Sequence, residues 1–278
     1  MNSDPKLASA TGARARITAP AVVALKRKGE PITVVTAYDF PTARLADQAG
    51  VEVLLVGDSV GTVLLGYDST LPVTMDDMLH HTKAVARART TAMVVGDMPF
   101  MSYQVSPEQA VTNAGRLVQE GGADAVKLEG GARVVEAVRR IVEAGIPVMG
   151  HLGLTPQSVL AFGGYKVQAR GEADQERLVA DARALEAAGC FAIVLEGIPA
   201  KLGGVVSREL HVPTIGIGAG VNCDGQVLVS HDMLGLFHGR TPKFVRRYAE
   251  VGDAMRDAYA RYVSDVKERR FPSDAESY

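Results

Sequence analysis

Residues 123–130 have the sequence ADAVKLEG, an apolar run that changes at its end to charged residues and glycine. A short run of alanine, valine and leucine indicates a strand buried on both faces, as in parallel sheets. Because side chains alternate along a strand, Lys127 and Glu129 face one side and Leu128 faces the other. The sequence therefore predicts a buried strand that ends in two charged groups on the same face.

Runs of the same form recur along the chain and alternate with amphipathic stretches. The eight predicted strands are Ile32–Thr36, Glu52–Val56, Ala92–Gly96, Ala123–Leu128, Pro147–Gly150, Phe191–Leu195, Pro213–Gly216 and Gln226–Val229. This repeated β/α alternation favours a closed (β/α)8 TIM barrel of the α/β class, formed as a single domain. An open doubly wound sheet is the alternative, and the weakly marked run at Gln226–Val229 is where the count of strands can fail.

Helix starts are marked by capping residues followed by proline or acidic residues. Ser106 and Thr74 each begin a predicted capping box, and Thr155-Pro156 and Thr241-Pro242 repeat the pattern of a cap followed by proline. Glycines such as Gly121 stand where a helix should stop before the next strand. These signals predict helices between the strands.

The composition indicates a globular protein and excludes several functional classes. Of 278 residues, 47% are hydrophobic, and 30 basic against 32 acidic residues give a net charge of −2, so no basic surface for nucleic acid is expected. No stretch is long and apolar enough for a membrane helix, and the start of the chain has no hydrophobic block. The two cysteines have no CxxC spacing, which is typical of a cytoplasmic protein. We expect a flexible leader over 1–16, the catalytic barrel over 17–265 and a polar tail over 266–278.

Acidic side chains follow three successive predicted strands. Asp58, Asp97 and Glu129 stand at the carboxyl ends of these strands, the end of a barrel at which active sites form. Carboxylates held together repel one another unless protonated or neutralised by a cation. Because the ligands are all oxygen, Mg²⁺ is the expected ion. We expect direct bonds from Asp58 and Asp97, with Glu129 acting through water.

Each of these residues also has a simpler interpretation. An aspartate after a strand is commonly a turn residue or a helix cap, and Lys127 can serve only as the ion-pair partner of Glu129. His151, which ends the fifth predicted strand, can be a hydrogen-bonded core histidine, and Glu196, which ends the sixth, can cap the next segment. The coincidence of three acids at one end of the barrel favours a functional site.

Nine short motifs, in this order, resemble those of the ketopantoate hydroxymethyltransferase family over about residues 17–262. The motifs are Thr36-Ala37-Tyr38-Asp39, Val56-Gly57-Asp58-Ser59, Val95–Phe100, Val126–Gly131, Gly150–Pro156, Gly163–Gln168, Val194-Leu195-Glu196, Ile215–Gly220 and His231–Gly235. Each motif alone is short, and the ordered set is specific.

The resemblance implies a Mg²⁺-dependent enzyme that transfers a hydroxymethyl group from 5,10-methylenetetrahydrofolate to 3-methyl-2-oxobutanoate. This reaction gives 2-dehydropantoate and is the first committed step of pantothenate biosynthesis. By resemblance, the metal ligands are Asp58, Asp97 and Glu129, and the substrate is bound by Asp58, Ser59, Asp97 and Lys127. The general base is Glu196, and His151 is a supporting residue without an assigned proton. The family also implies a cytoplasmic homo-oligomer, typically a decamer.

The residues suggest how such a reaction would proceed. The keto acid would chelate the metal and form an enolate after Glu196 removes the proton on C3. The Gly163–Lys166 segment, rich in glycine, is either a lid that excludes water or only a flexible loop. The folate co-substrate rests on the resemblance alone.

Two other functional classes remain as alternatives. A Mg²⁺-dependent lyase or mutase of the phosphoenolpyruvate mutase and isocitrate lyase type would also use acids at the mouth of a barrel, but it needs no folate. The Lys-Lys-Cys-Gly-His-like loop usual in isocitrate-type lyases is absent from the sequence. A binding protein without catalysis would not need the base Glu196, which argues for an enzyme.

Overall fold

Eight parallel strands form a closed barrel in which the strands follow one another in sequence order. The computed structural model describes residues 15–236 and 241–278. The strands are β1 Ile32–Thr36, β2 Val53–Val56, β3 Met93–Asp97, β4 Ala125–Glu129, β5 Val148–Gly153, β6 Ala192–Glu196, β7 Thr214–Ile217 and β8 Gly225–Leu228. The predicted single-domain (β/α)8 TIM barrel is confirmed.

Helices surround the barrel and cover its ends. They are α1 Ala19–Lys28, α2 Phe40–Ala49, α3 Val60–Val63, α4 Met75–Ala88, α5 Pro107–Gln119, α6 Val135–Glu143, α7 Val159–Phe162, α8 Glu172–Ala187, α9 Ala200–Glu209, α10 Ser230–Met233 and α11 Val251–Lys267. Short 3-10 helices lie at Ala132–Val134, Pro156–Ser158 and Asp274–Glu276. None of the described helices combines the length and hydrophobicity needed to cross a lipid bilayer.

The eighth strand closes the sheet. Val227 of β8 pairs with Val34 of β1, and Gly225 pairs with Ile215 of β7. The alternative of an open sheet is therefore wrong. The predicted alternation fails at one place, because β7 and β8 are joined by the described segment 218–224 without a helix.

Two of the four predicted helix caps are confirmed. The Thr74 side chain accepts a hydrogen bond from the Asp77 backbone and completes a capping box, and Ser106 accepts one from Gln109. Thr155 makes no side-chain capping bond, and only a 3-10 turn follows it. The cap at Thr241 is wrong, because the next helix begins at Val251. A threonine before proline favours a turn as readily as a helix start, so the motif alone does not decide.

The interior of the barrel is apolar near the N-terminal ends of the strands and polar at their carboxyl ends. The inward-facing residues before the carboxyl end of each strand form one core, which includes Val53, Met93, Ala125 and Met149. Helix α1 closes the N-terminal end of the barrel, where Val22 joins this core. The residues of opposite parity pack outward against the helices in a second core.

Helix α11 stands apart from the barrel, with no buried residue along its length. It ends at Lys267, two residues past the predicted domain boundary at 265. The predicted leader lies almost entirely outside the described residues, which begin at 15.

Candidate active site

Inward-facing positions at the carboxyl ends of four neighbouring strands carry ionisable side chains. The same alternation that points Val95 and Ala125 into the core points Asp97, Lys127 and Glu129 into the mouth one step further along. Asp97 pairs with Lys127 across β3 and β4, and Glu129 pairs with His151 across β4 and β5. Strand register alone therefore brings these groups side by side.

Lys127 lies among the acids of the mouth. Its Nζ is 2.9 Å from Asp97 Oδ1, 3.8 Å from Glu129 Oε1 and 3.3 Å from His151 Nδ1. All four side chains are buried, at 4% exposure or less. Because water is excluded, the two carboxylates and the ammonium interact strongly, and the lysine presents a fixed positive charge to the cavity.

His151 lies between Glu129 and Glu196, the predicted base. Its Nδ1 is 3.2 Å from Glu129 Oε1, and its Nε2 is 3.3 Å from Glu196 Oε2. Glu196 is brought close by Gly153, which adopts φ +92° and approaches the Glu196 carbonyl so closely that a Cβ would lie 2.2 Å from it. Only glycine fits this junction between β5 and β6.

Asp58 and Ser59 follow β2 in the loop that leads into α3. The backbone N–H of Asp58 donates to Asp97 Oδ2 at 3.2 Å, which fixes the loop against β3. Ser59 Oγ is 2.8 Å from the hydroxyl of Tyr38, a fully buried residue that follows β1. The structure therefore brings together all the predicted site residues, namely Asp58, Ser59, Asp97, Lys127, Glu129, His151 and Glu196.

Each of the three acids has one oxygen held by a neutral N–H group. Gln157 donates from Nε2 to Asp58 Oδ2 at 2.9 Å and from its backbone N–H to Glu129 Oε2 at 3.0 Å, while Asp97 Oδ2 accepts from Asp58. Asp97 Oδ1 and Glu129 Oε1 are buried and accept no well-formed hydrogen bond from the described residues. Their nearest positive groups are Lys127 Nζ, 2.9 Å from Asp97 Oδ1, and His151 Nδ1, 3.2 Å from Glu129 Oε1, so a bound metal ion would share these oxygens with cationic side chains.

The pKa values of these groups reflect crowding of like charges in a buried place. Burial, followed by the charges of Asp97 and Glu129, raises the pKa of Asp58 well above its ordinary value. Burial also raises the pKa of Asp97, against the opposing effect of Lys127. For Glu129, His151 and Lys127 outweigh burial and lower the pKa. Burial and Lys127 oppose the charge on His151, but Glu129 and Glu196 outweigh them and raise its pKa to about 9.

The donor set suits Mg²⁺. Mg²⁺ commonly binds one or two carboxylates directly and keeps waters in its other positions. Within residues 15–236 and 241–278, no three His, Cys, Asp or Glu side chains are placed to hold one ion together. This placement is compatible with two direct carboxylate ligands and a third acid acting through water, whereas a closed all-protein cage would need three. The metal ligands Asp58, Asp97 and Glu129 stay a prediction.

Sequence reasoning assigned no role to three buried residues of the site. Gln157 bonds two acids, Tyr103 donates to Gln157 Oε1 at 2.7 Å, and Tyr38 contacts Ser59. Tyr38 lies within a motif used for the family resemblance, so the sequence marked the position as part of the family pattern but did not indicate a role for the side chain. Gln157 lies in a one-turn 3-10 helix and Tyr103 in a loop, neither of which has a periodic pattern, and a glutamine two residues after a helix-start signal is ordinarily exposed.

The Gly163–Lys166 segment lies above the site as a loop after α7. Tyr165 is 56% exposed, and Gly163 and Gly164 both have positive φ. Just after the segment, the backbone N–H of Gln168 donates to the Gly197 carbonyl, next to Glu196, at 2.9 Å. The segment is therefore anchored beside the site, where a lid would act.

Comparison with known sequences places the chain in one family. A model of the family described as ketopantoate hydroxymethyltransferase matches residues 16–274. The 3-methyl-2-oxobutanoate hydroxymethyltransferase of Moorella thermoacetica is 59% identical over 95% of this chain and 98% of the relative. That of Syntrophus aciditrophicus is 57% identical over 95% of this chain and 97% of the relative.

Comparison with solved structures finds the same barrel in more distant proteins. Phosphonopyruvate hydrolase in complex with oxalate and Mg²⁺ aligns with a TM-score of 0.62 at 15% identity, over 94% of this chain and 93% of that chain. The 2,3-dimethylmalate lyase, a member of the phosphoenolpyruvate mutase and isocitrate lyase superfamily, aligns with a TM-score of 0.60 at 17% identity, over 94% and 89%. At this identity the likeness establishes the fold, whereas the sequence matches establish the family. The chain belongs to the ketopantoate hydroxymethyltransferase family.

Proposed function

We propose that the protein transfers a hydroxymethyl group from 5,10-methylenetetrahydrofolate to 3-methyl-2-oxobutanoate, giving 2-dehydropantoate, with Mg²⁺ as cofactor. Family membership supports the reaction, and its relatives carry the name of this activity. The observation that carries the proposal for the site is the convergence of Asp58, Asp97 and Glu129 with Lys127 at the mouth of the barrel.

The 2-oxo acid would be bound by groups that the barrel already holds in place. When bound, Mg²⁺ supplies positive charge that makes the proton on C3, beside the keto group, more acidic. Asp58, Asp97 and Glu129 would hold this ion. Lys127, buried against Asp97, adds a fixed positive charge for the carboxylate of the keto acid. The Ser59 hydroxyl, oriented by Tyr38, donates a hydrogen bond to the same carboxylate.

Glu196 acts as the general base in this proposal. Its side chain is 15% exposed and lies next to His151 at the mouth of the barrel. A carboxylate oxygen of Glu196 takes the C3 proton, and C3 keeps the electron pair with which it attacks the folate methylene carbon. One water molecule supplies the hydroxyl oxygen of the new group, both carbon–nitrogen bonds between the methylene carbon and the folate break, and the two folate nitrogens each take up a proton as tetrahydrofolate leaves. His151, 3.3 Å from Glu196 Oε2, orients this carboxylate. The Gly163–Lys166 loop limits the entry of water beyond the one molecule that the transfer consumes.

A coupled assay tests the reaction directly. We expect 2-dehydropantoate to form only when the keto acid, methylenetetrahydrofolate and Mg²⁺ are all present, and a chelator should abolish its formation. In D₂O without folate, deuterium should enter C3 of 3-methyl-2-oxobutanoate, because proton removal precedes carbon transfer. Cleavage of the keto acid, or its rearrangement without folate, would instead favour the lyase or mutase alternative.

The protein is also proposed to be a cytoplasmic homo-oligomer, of the ten-subunit size expected from the family. The support on this chain is α11, whose exposed face carries Met255, Tyr259, Tyr262 and Val263 at helical spacing. A solvated helix with such a face gains stability chiefly by packing, here against a second copy. The two cysteines of the chain are both free, as in a reducing compartment.

Light scattering on the purified protein tests the assembly. We expect a mass several times that of the 29.4 kDa chain, and we expect Tyr259→Glu with Val263→Glu to shift the distribution toward smaller species. A wild-type protein that elutes with the mass of a single chain would exclude the proposed assembly.

A further inference from the structure

Gln157 is a buried residue that contacts two acids of the site and that the reaction itself does not use. It is 5% exposed and lies in the 3-10 helix after β5. Its Nε2 donates to Asp58 Oδ2 and to the Met98 carbonyl, both at 2.9 Å, and its backbone N–H donates to Glu129 Oε2 at 3.0 Å. One residue thus holds two acids that come from different strands.

The orientation of the Gln157 amide is fixed by its partners. Nε2 faces two acceptors, the Asp58 carboxylate and the Met98 carbonyl. Oε1 faces two donors, the Tyr103 hydroxyl at 2.7 Å and Gln104 Nε2 at 3.2 Å. A flipped amide would place oxygen against oxygen and nitrogen against a donor, at a cost of several buried hydrogen bonds.

These contacts limit how the acids can bind a metal ion. Asp58 Oδ2 is engaged by the Gln157 amide, whereas Glu129 has Oε2 on the Gln157 backbone N–H and Oε1 3.2 Å from His151 Nδ1. Asp97 is restrained on both sides, because its Oδ2 accepts from the Asp58 backbone and its Oδ1 lies 2.9 Å from Lys127 Nζ. Carboxylates restrained in this way are hindered from turning both oxygens toward one ion.

We propose that the Gln157 side chain is a positioning group that holds Asp58 in one-oxygen ligation and thereby makes the site favour Mg²⁺ over Ca²⁺. This inference rests on the proposed function, since it presupposes that the acids bind a divalent ion. Mg²⁺ is small, requires near-octahedral geometry and keeps its waters, so single oxygens suit it. Ca²⁺ takes six to eight oxygens and gains from carboxylates that bind through both oxygens.

Calorimetric titration of the metal-free protein with MgCl₂ and, separately, with CaCl₂ tests the proposal. In Gln157→Met the side chain keeps its length and loses its donors. We expect its Mg²⁺ affinity to fall about 10- to 100-fold, the usual cost of losing a group that orients a metal ligand. Ca²⁺ affinity should fall less, so the preference for Mg²⁺ should drop about tenfold.

Two further variants separate positioning from a general loss of structure. Tyr103→Phe removes the hydroxyl that orients the amide, and it should shift the Mg²⁺-to-Ca²⁺ ratio in the same direction by a smaller factor. Asn113→Leu is the matched control, because Asn113 donates to the Ser102 carbonyl of the neighbouring loop at 2.7 Å and contacts no acid of the site. It should leave the ratio unchanged.

An unchanged ratio in folded Gln157→Met, or an equal shift in Asn113→Leu, would overturn the inference. If Gln157→Met does not fold, Tyr103→Phe decides by the same criterion. A wild-type protein that binds neither ion would contradict the proposed function itself. Wild-type binding that is lost in Asp97→Asn, together with an unchanged ratio in Gln157→Met, would leave the proposed function standing and remove only the role of Gln157.

Discussion

Asp47 and Asp58 are two buried aspartates at opposite ends of the barrel, with 4% and 3% exposure. At the N-terminal end, Asp47 accepts from the backbone N–H groups of Thr90, Thr91 and Ala92 at 2.7, 3.1 and 2.7 Å. At the C-terminal end, Asp58 accepts from Gln157 and faces Asp97 and Glu129. The same side chain, equally buried, thus meets donors at one end and other acids at the other.

The pKa values of the two aspartates move in opposite directions for this reason. Burial raises the pKa of Asp47, but hydrogen bonds from Thr90, Ala92 and Thr91 outweigh it and lower the pKa to about 2. Burial and neighbouring acids raise the pKa of Asp58. The comparison teaches that the N-terminal end uses a carboxylate to stabilise the fold, whereas the C-terminal end keeps carboxylates under mutual repulsion that a bound ion would relieve.

The largest expected effect is on turnover at the C-terminal end. Glu196→Gln removes the proposed base without changing its shape, so turnover should fall about 10²- to 10⁴-fold. Binding of Mg²⁺ and of the 2-oxo acid, measured by calorimetry, should stay nearly intact. The exposed Glu176 of α8 gives a matched control, and Glu176→Gln should leave turnover unchanged. Lost binding with intact chemistry would remove Glu196 from its role as base.

Exchanging each aspartate for asparagine should separate stability from function. Asp47→Asn replaces an acceptor by a donor facing backbone N–H groups, and we expect unfolding to become easier by about 2 kcal/mol with turnover retained. Asp58→Asn removes one of the mutually repelling charges and keeps an acceptor for Gln157. We expect it to abolish turnover and to stabilise the metal-free fold by about 1 kcal/mol. Denaturant unfolding measures the stability of each variant, and the coupled assay measures its turnover. Equal destabilisation by the two variants would show that the two aspartates do not differ in their contribution to the fold.

Acid sensitivity due to Asp47 is the narrowest of the expected effects, because it is confined to the pH range between the folded and the unfolded pKa of this one carboxyl. A carboxyl whose pKa is lower in the folded protein adds stability that is present above its unfolded pKa and is lost as the pH falls. For Asp47 this stability is lost between pH 3.8, the ordinary pKa, and about pH 2, the pKa in the folded protein. The full contribution of the Asp47 charge to the free energy of unfolding is about 2 kcal/mol. Unfolding free energies of wild type and Asp47→Asn should therefore differ at neutral pH and converge toward pH 2. A constant difference over this range would show that the Asp47 charge contributes no stability.

Local pattern accounts for much of what the sequence predicted. The alternation of Val94, Val95 and Asp97, or of Ala125, Lys127 and Glu129, fixes which side chains turn inward, because the period of a strand is a property of its backbone. Counting such runs predicted the closed barrel, and the barrel places all strand ends at one mouth. The failures lay in connections, at the absent helix between β7 and β8 and at Thr241, where turn and helix signals are alike.

The amino-acid sequence by itself determined the strands, their inward faces, the acids at their ends and, through its motifs, the family. Only the tertiary structure decided which group each oxygen of these acids faces. Gln157 and Asp58 lie 99 positions apart, and no local pattern links an amide in one loop to a carboxylate in another. The reason is physical: periodicity is set by neighbouring residues along the backbone, whereas hydrogen bonds and pKa values are set by whatever packing brings within about 3 Å.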